Sequence, residues 1–150
     1  MAIHKLFLSY AHSDQAAKAK FLHLLHEYLR VAQGVDFEVW QDVQVLPGQD
    51  WDAEIQKALD NCDAGILLVS PAFLGRDYIV KLEMPKLMAK GVVPVMLEPI
   101  RFDGTMNLRG LEAKQVFRGT KGRAFGELAN GRDRRSFVEA LFGKLMAKAA

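Results

Sequence analysis

The sequence predicts an α/β domain built on a doubly wound, parallel five-stranded sheet with helices on both faces. Three observations lead there. Short runs rich in β-formers alternate with helical spacing along the chain, and the connections between them are short. One run, Ala64 to Val69 (AGILLV), is continuously apolar, as a central parallel strand covered on both faces must be. In sheets of this kind ligands bind beyond the carboxyl ends of the strands, at the topological switch point. The candidate functional segments are therefore three loops: Tyr10 to Asp14, Asp42 to Trp51, and Ser70 to Glu83.

Lys5 to Tyr10 (KLFLSY) reads as the first strand, ending in small polar residues. From Asp14 the apolar residues Ala17, Phe21, Leu24, Leu25, Tyr28 and Leu29 recur at intervals of three and four, one face of a helix. Ser13 or Asp14 is its N-cap and Gly34 its end. Phe37, Val39 and Trp40 form the second strand, with Asp42 just beyond it. The loop Val43 to Gln49 carries the turn signal Pro47-Gly48. Asp50 then caps a helix whose apolar face is Trp51, Ile55, Ala58 and Leu59, with Asp52 and Glu54 in the first turn where they complement the helix dipole. The spacing of Trp51 to Ile55 suits burial as a helix-start anchor, a stacking platform being the other reading.

After the buried strand comes Ser70-Pro71, then helical spacing over Asp77 to Lys90. Pro85 inside that stretch removes a backbone donor and crowds the preceding turn, so the helix either kinks or starts late. Either way Glu83 falls close to a helical N-terminus, where a carboxylate is electrostatically favoured. Val92 to Leu97 is the fourth strand, and its Pro94 fits an edge, a strand start or a bulge. Gln115 to Phe117 is a short fifth strand, and Ser136 to Lys148 a final helix with Phe137, Leu141, Phe142 and Leu145 inward.

Composition bounds the function. Of 150 residues, 50% are hydrophobic and 25% charged, which excludes disorder and suits one self-supporting domain. A net charge of +2 is too small to predict attraction to nucleic acid or to a membrane surface, so neither is expected as a partner. The single cysteine, Cys62, cannot form an internal disulfide, and a reducing, cytoplasmic setting is expected. The residues following Met1 lack the pattern of a secretory signal, and no apolar run approaches the ~20 residues that span a bilayer. No metal site is expected: His23, His26 and Glu27 read as a solvated helix face, and Cys62 as a small buried side chain. The Gly-rich basic stretch Gly119 to Gly126 has no GK[ST] ending and reads as a loop, and Arg132 to Arg135 reads as a solvent-facing run.

In order and spacing, these pieces resemble a Toll/interleukin-receptor (TIR) domain. The resemblance rests on Phe7-Leu8-Ser9-Tyr10 with Asp14, on Val39-Trp40-Gln41-Asp42, and on Pro47-Gly48 with Trp51 in the loop that the family calls BB. It continues through Ile55, Ala58, Cys62 and Ile66 to Ser70, and is completed by Tyr78 and Glu83; residues 98 to 150 resemble only the family's looser tail. It implies a flavodoxin-like sheet and a single TIR domain over residues 1–150, with a fused sensor domain or an activating partner elsewhere. By function it implies either hydrolysis of NAD+ at the nicotinamide glycosidic bond, in intracellular defence or cell-death signalling, or a non-enzymatic module that binds other TIR subunits. Self-association into a homo-oligomer or filament is implied in both cases.

Under the enzymatic reading Glu83 occupies the family's catalytic position. Tyr10, Ala11, His12, Asp42, Gly48 and Tyr78 would contact substrate, and Pro47, Gly48 and Trp51 would serve assembly. NAD+ is then substrate, and no cofactor is implied. The chemistry agrees from below. Nicotinamide leaves a ribosyl bond as a neutral molecule, so little acid catalysis is needed and one carboxylate that steadies the oxocarbenium-like charge can suffice. Two departures stand out: Ala11-His12 follow Tyr10 where the family often has basic residues, and Ile79 stands four before Glu83 where it commonly has tryptophan. Tyr78 or Trp51 would have to supply the aromatic face.

For Tyr10, packing under the sheet's end competes with lining a pocket, and Asp42 can cap its own loop or touch ligand. Two other classes with similar sheets are excluded. A phospho-receiver needs acidic residues at the ends of the first and third strands, where Ser9-Tyr10 and Ser70 stand, and a hydride-transferring dinucleotide fold needs a G-x-G-x-x-G after the first strand.

Overall fold

A computed structural model describes residues 2–42 and 48–149. Its sheet is wholly parallel and runs β2-β1-β3-β4, with β1 at Ala2–Ser9, β2 at Val35–Trp40, β3 at Ala64–Val69 and β4 at Val92–Met96. The helices are α1 (Gln15–Leu29), α2 (Trp51–Asn61), the short α3 (Pro71–Leu74), α4 (Met84–Lys90) and α5 (Gly131–Ala149).

Strand periodicity sorts the core into two layers. Leu6, Leu8, Ile66, Leu68 and Val95 face α1 and α5, meeting Phe21, Leu25, Phe137 and Leu141. Phe7, Leu67, Val69 and Met96 face the other way, onto Ile55 and Leu59 of α2 and Met84 and Leu87 of α4. Every residue of β3 is buried, which accounts for its unbroken apolar sequence. Gly65 serves this packing: a Cβ there would lie 2.9 Å from Leu87 Cδ2, so the buried Leu87 side chain of α4 would have to shift.

The sheet holds four strands among the described residues, not five. The expected fifth is reduced to a single parallel bridge between Val95 and Phe117, in which Phe117 N–H donates to Pro94 O at 2.7 Å and Met96 N–H donates to Phe117 O at 2.9 Å. The ladder cannot grow toward Gln115, because the next bond needs an N–H that Pro94 lacks. It cannot grow the other way because Gly119 N–H is already given to Arg123 O at 2.8 Å. Pro94 is thus an edge-strand proline with its missing donor turned outward.

Other boundaries shift for local reasons. α5 begins five residues earlier than the apolar spacing indicates, since Asn130 Oδ1 accepts from Asp133 N–H at 2.8 Å and the charged run Arg132 to Arg135 forms the first turn, with Arg132 and Arg135 exposed. Asp50 caps α2 as expected, accepting from Ala53 N–H at 3.1 Å. Asp14, by contrast, stands at the N-cap of α1 without a side-chain cap bond, and its carboxylate is taken by Ser70 Oγ. Ser70 in turn accepts from Phe73 N–H at 3.0 Å and, with Pro71 behind it, starts α3, an element the sequence reading passed over. The stretch from residue 98 to 129 has only short turns, yet Ile100, Leu108, Leu111, Val116, Ala124 and Phe125 are buried in the core.

Pro85 neither breaks the helix before it nor merely bends it. Residues 77–90 stay helical, but Ile79–Glu83 widen into a π-helix whose last bond runs from Met84 N–H to Ile79 O, and α4 resumes with Pro85 in its first turn. An i→i+5 turn is a costly local form that recurs at functional sites. Glu83 is therefore at a junction inside a continuous helix and not at a free helical N-terminus.

Candidate functional site

β1 lies at the switch point, with β2 on one side and β3 on the other, so the carboxyl ends of these strands open one crevice. Ser9, the last residue of β1, is on the α2/α4 side, because its neighbours Leu8 and Tyr10 point to α1 and α5. There it meets Glu83. Ser9 Oγ donates to Glu83 Oε1 at 2.6 Å across 74 residues of sequence, and both side chains are buried, Glu83 with 7% of its surface exposed. Burial pushes the Glu83 carboxyl up to about 7, the Ser9 hydroxyl holding it down and the nearby Asp42 charge adding to the rise. Glu83 is thus poised between its two protonation states near neutrality, the condition in which a side chain can trade a proton or carry charge on demand.

Tyr10, His12 and Asp42 form a second cluster beside the first. Tyr10 is buried in the core and its hydroxyl donates to Asp42 Oδ1 at 3.0 Å, so packing and pocket lining are both true of it. Burial, then the Asp42 charge, raises its phenol well above the ordinary range. His12 Nε2 pairs with the other oxygen, Asp42 Oδ2. Lys18, buried on α1, lies over the Tyr10 ring at 4.6 Å and donates to Gln41 Oε1 at 2.8 Å. Its ammonium is pushed down by burial, an effect the Asp42 charge opposes. Asp42 is held by side chains from β1's loop and does not cap its own loop in the described residues.

A cavity of ≈ 340 Å³ opens here, lined by Tyr10, His12, Gln15, Asp42 and Trp51. Glu83 does not line it but is within electrostatic reach of Asp42 and His12. Trp51 corrects the sequence reading: it is not a core anchor but 43% exposed, because Ile55 and Leu59 already fill the α2 side of the core. Its ring rests on Tyr78 at a centroid distance of 4.8 Å. Burial and a bond to Asp52 push the Tyr78 phenol up to about 12. Ala11 is fully packed in the α2/α4 layer, and Gly48 takes a left-handed φ of +88° in open space. Pro47, with the rest of 43–47, lies outside the described residues.

Sequence reasoning named most of these residues but missed three: Ser9 as the partner of Glu83, Lys18 over the Tyr10 ring, and Gln15 at the cavity. Ser9 carried a signal, being the one polar residue among the inward positions of an otherwise apolar strand end. The bond it makes yields a testable consequence. Removing the hydroxyl in Ser9→Ala strips a donor from the Glu83 carboxylate and should raise its titration midpoint by about one pH unit, measured by carbon-detected NMR of labelled glutamate.

A parallel α/β sheet with a buried carboxylate at the carboxyl end of its central strand, flanked by a His–Asp pair, defines the class: a switch-point module of the flavodoxin-like type. The family follows from comparison with known proteins. The profile described as TIR domain matches residues 6–129, and the chain belongs to that family of signalling and defence modules. It is similar to the uncharacterized protein y4lF of Sinorhizobium fredii (strain NBRC 101917 / NGR234), at 31% identity over 98 residues. That alignment covers 61% of this chain and 29% of the relative, so the chain spans less than a third of the curated relative it matches. Among the described residues no helix is long and apolar enough to cross a membrane.

Proposed function

We propose that this TIR domain hydrolyses NAD+ at the bond between nicotinamide and ribose, with Glu83 as the catalytic carboxylate. The observation that carries the reading is the Ser9–Glu83 pair: a carboxyl buried at the switch point, in an otherwise apolar layer, and aimed by a hydroxyl donor at 2.6 Å. A core has no use for such a group, and stability alone would replace it.

In the reaction the C1′–N bond breaks and its electron pair stays on the ring nitrogen, releasing neutral nicotinamide. Positive charge builds on the ribose C1′ and ring oxygen, and the Glu83 carboxylate stabilises it in a site of low polarity, where such an interaction is strongest. Water then adds at C1′ and loses a proton to solvent, giving ADP-ribose; capture by another nucleophile of the same molecule gives a cyclic variant. Because the working form is the carboxylate, nicotinamide release should rise with pH through about 7 and level off above it.

The test is to incubate concentrated, assembled protein with NAD+ and follow free nicotinamide by chromatography. Release that Glu83→Ala eliminates supports the enzyme. A second reading, that the domain acts only by binding other TIR subunits, is favoured by the exposed Trp51 and the open Gly48 turn at the loop the family uses for association. It predicts assembled protein that leaves NAD+ intact.

A further inference from the structure

The chain is nearly balanced in charge, with 20 Lys and Arg against 18 Asp and Glu, yet one cavity collects a single sign. It has a volume of ≈ 700 Å³ and lies beside the outer edge of β4, where the fifth strand is reduced to its one bridge. Arg118, Lys144 and Lys148 line it, and no Asp or Glu does. Among the described residues none of these three is in an ion pair; the pairs that form lie elsewhere, at Asp42, Asp77, Asp60, Asp103 and Glu27. Lys144 and Lys148 are four apart on α5, a spacing at which like charges repel. The carboxyl end of a helix suits each of them singly, but it does not account for Arg118, which comes from the segment between β4 and α5.

Two of the cations are held in position. The Arg118 guanidinium lies over the Phe102 ring at 4.6 Å. A Cβ on Gly91 would lie 3.2 Å from Lys148 Nζ, so the missing side chain is what lets that ammonium rest against the start of β4. The strand edge adds a donor. Gly65 N–H donates to Gly91 O and Leu97 N–H donates to Val69 O, so the odd-numbered residues from Gly91 to Leu97 bond to β3 and the even-numbered ones turn outward. Pro94 O and Met96 N–H are taken up by Phe117 and the ladder ends there, which leaves the Val92 N–H turned toward the cavity that Val92 lines. Val93 and Phe117, half-buried against the α1/α5 layer, supply an apolar wall.

We propose that this cavity binds a nucleoside diphosphate, with the phosphates on Arg118, Lys144, Lys148 and the Val92 N–H and the base against Val93 and Phe117. Bonds from Arg and Lys to phosphate oxygens are charge-assisted and strong, and three cations with one edge N–H match the several oxygens of a diphosphate. The volume of ≈ 700 Å³ suits a small-molecule site and exceeds what a diphosphate alone fills. The apolar wall, likewise, has a use only for a ligand that carries something flat or apolar beside its charge. Gly119 and Gly122 leave the lining next to Arg118 free of side chains, so phosphate can come close to the backbone there. The cavity is at the amino end of β4, whereas Glu83 and Asp42 stand at the carboxyl ends of the parallel strands. A ligand here is therefore separate from the crevice and independent of the NAD+ reading.

The test is an amide NMR titration of nitrogen-labelled protein with ADP, inorganic pyrophosphate and adenosine. The expected result is saturable shifts at Val92, Gly119 and Gly122, with ADP bound about tenfold more tightly than pyrophosphate and adenosine shifting none of them. Lys144→Gln combined with Lys148→Gln should weaken ADP by about tenfold or more, and Arg118→Gln should do the same. All three side chains are exposed, so these variants keep the fold, which circular dichroism melts verify. ADP shifts confined to Ala11 and His12, at the other end of the sheet, would overturn the site. So would ADP bound no more tightly than pyrophosphate or adenosine, or an ADP affinity that both variants leave unchanged.

Discussion

Glu83→Gln should lower nicotinamide release on the order of a thousandfold, the scale seen when one electrostatic stabiliser of a transition state is removed, while making the protein more stable above neutral pH. The two effects have one cause. Folding raises the Glu83 carboxyl to about 7 from its ordinary 4.5. Between those values the folded chain binds more protons than the unfolded one, so stability declines as pH rises through that window. The decline amounts to on the order of 3 kcal/mol. Glutamine keeps the shape and the acceptor for Ser9 but never ionises, so the variant should not show that pH-dependent loss. Thermal melts at pH 5 and pH 8 read this directly: the two proteins should be similar at the lower pH and the variant the more stable at the higher. A variant that loses both activity and stability at pH 8 would assign Glu83 a structural role instead.

Phe21→Ala should be among the most damaging single changes in the α1/α5 layer, at about 3–5 kcal/mol. Phe21 is fully buried, and its ring meets Phe125 edge-on at 5.5 Å, Phe125 in turn meeting Phe137 at 5.5 Å. This chain of aromatic rings is what ties α1, the irregular segment before α5, and α5 into one layer. Truncating the first ring leaves a cavity that backbone from three separate elements would have to close, and collapse is correspondingly incomplete. For a domain of this size the loss corresponds to a drop in Tm of roughly 10 °C or more, measurable by calorimetry. A change below about 1 kcal/mol would mean that the layer repacks freely.

How much of this was legible beforehand depended on how local each cause was. The alternation of strands and helices, the burial of β3 and the cap at Asp50 were readable, because each is written in a few adjacent residues. The Ser9–Glu83 bond was not, since it joins positions 74 apart and needs the sheet order to bring them together. Trp51 misled for the opposite reason. Its spacing to Ile55 is that of a core face, but the layer it would enter was already filled by Ile55 and Leu59, and only the packed structure reveals that competition. The fifth strand failed on the N–H missing at Pro94 on one side and on the Gly119 N–H given to Arg123 O on the other, neither of which could be chosen from sequence. Asn130 hid its helix start behind four charged residues that carry no apolar phase.

The widened turn at Ile79–Glu83 has a consequence for how this site can change over time. A π-turn is an α-helix with one residue more than its pitch accommodates, so it behaves as a one-residue insertion held in place by the surroundings. Deleting one residue from that stretch would let an ordinary helix form with the flanking segments still in phase, whereas closing the turn to ordinary α geometry at unchanged length would turn everything before it by about 100° relative to everything after it. Ile79 and Leu87, both buried in the same layer, could then no longer share it, and Tyr78 would leave Trp51. The widened turn between Tyr78 and Glu83 is therefore itself a determinant of the site. A change that restored ordinary helical bonding there would separate Tyr78, on which Trp51 rests, from the Glu83 carboxylate in a single step.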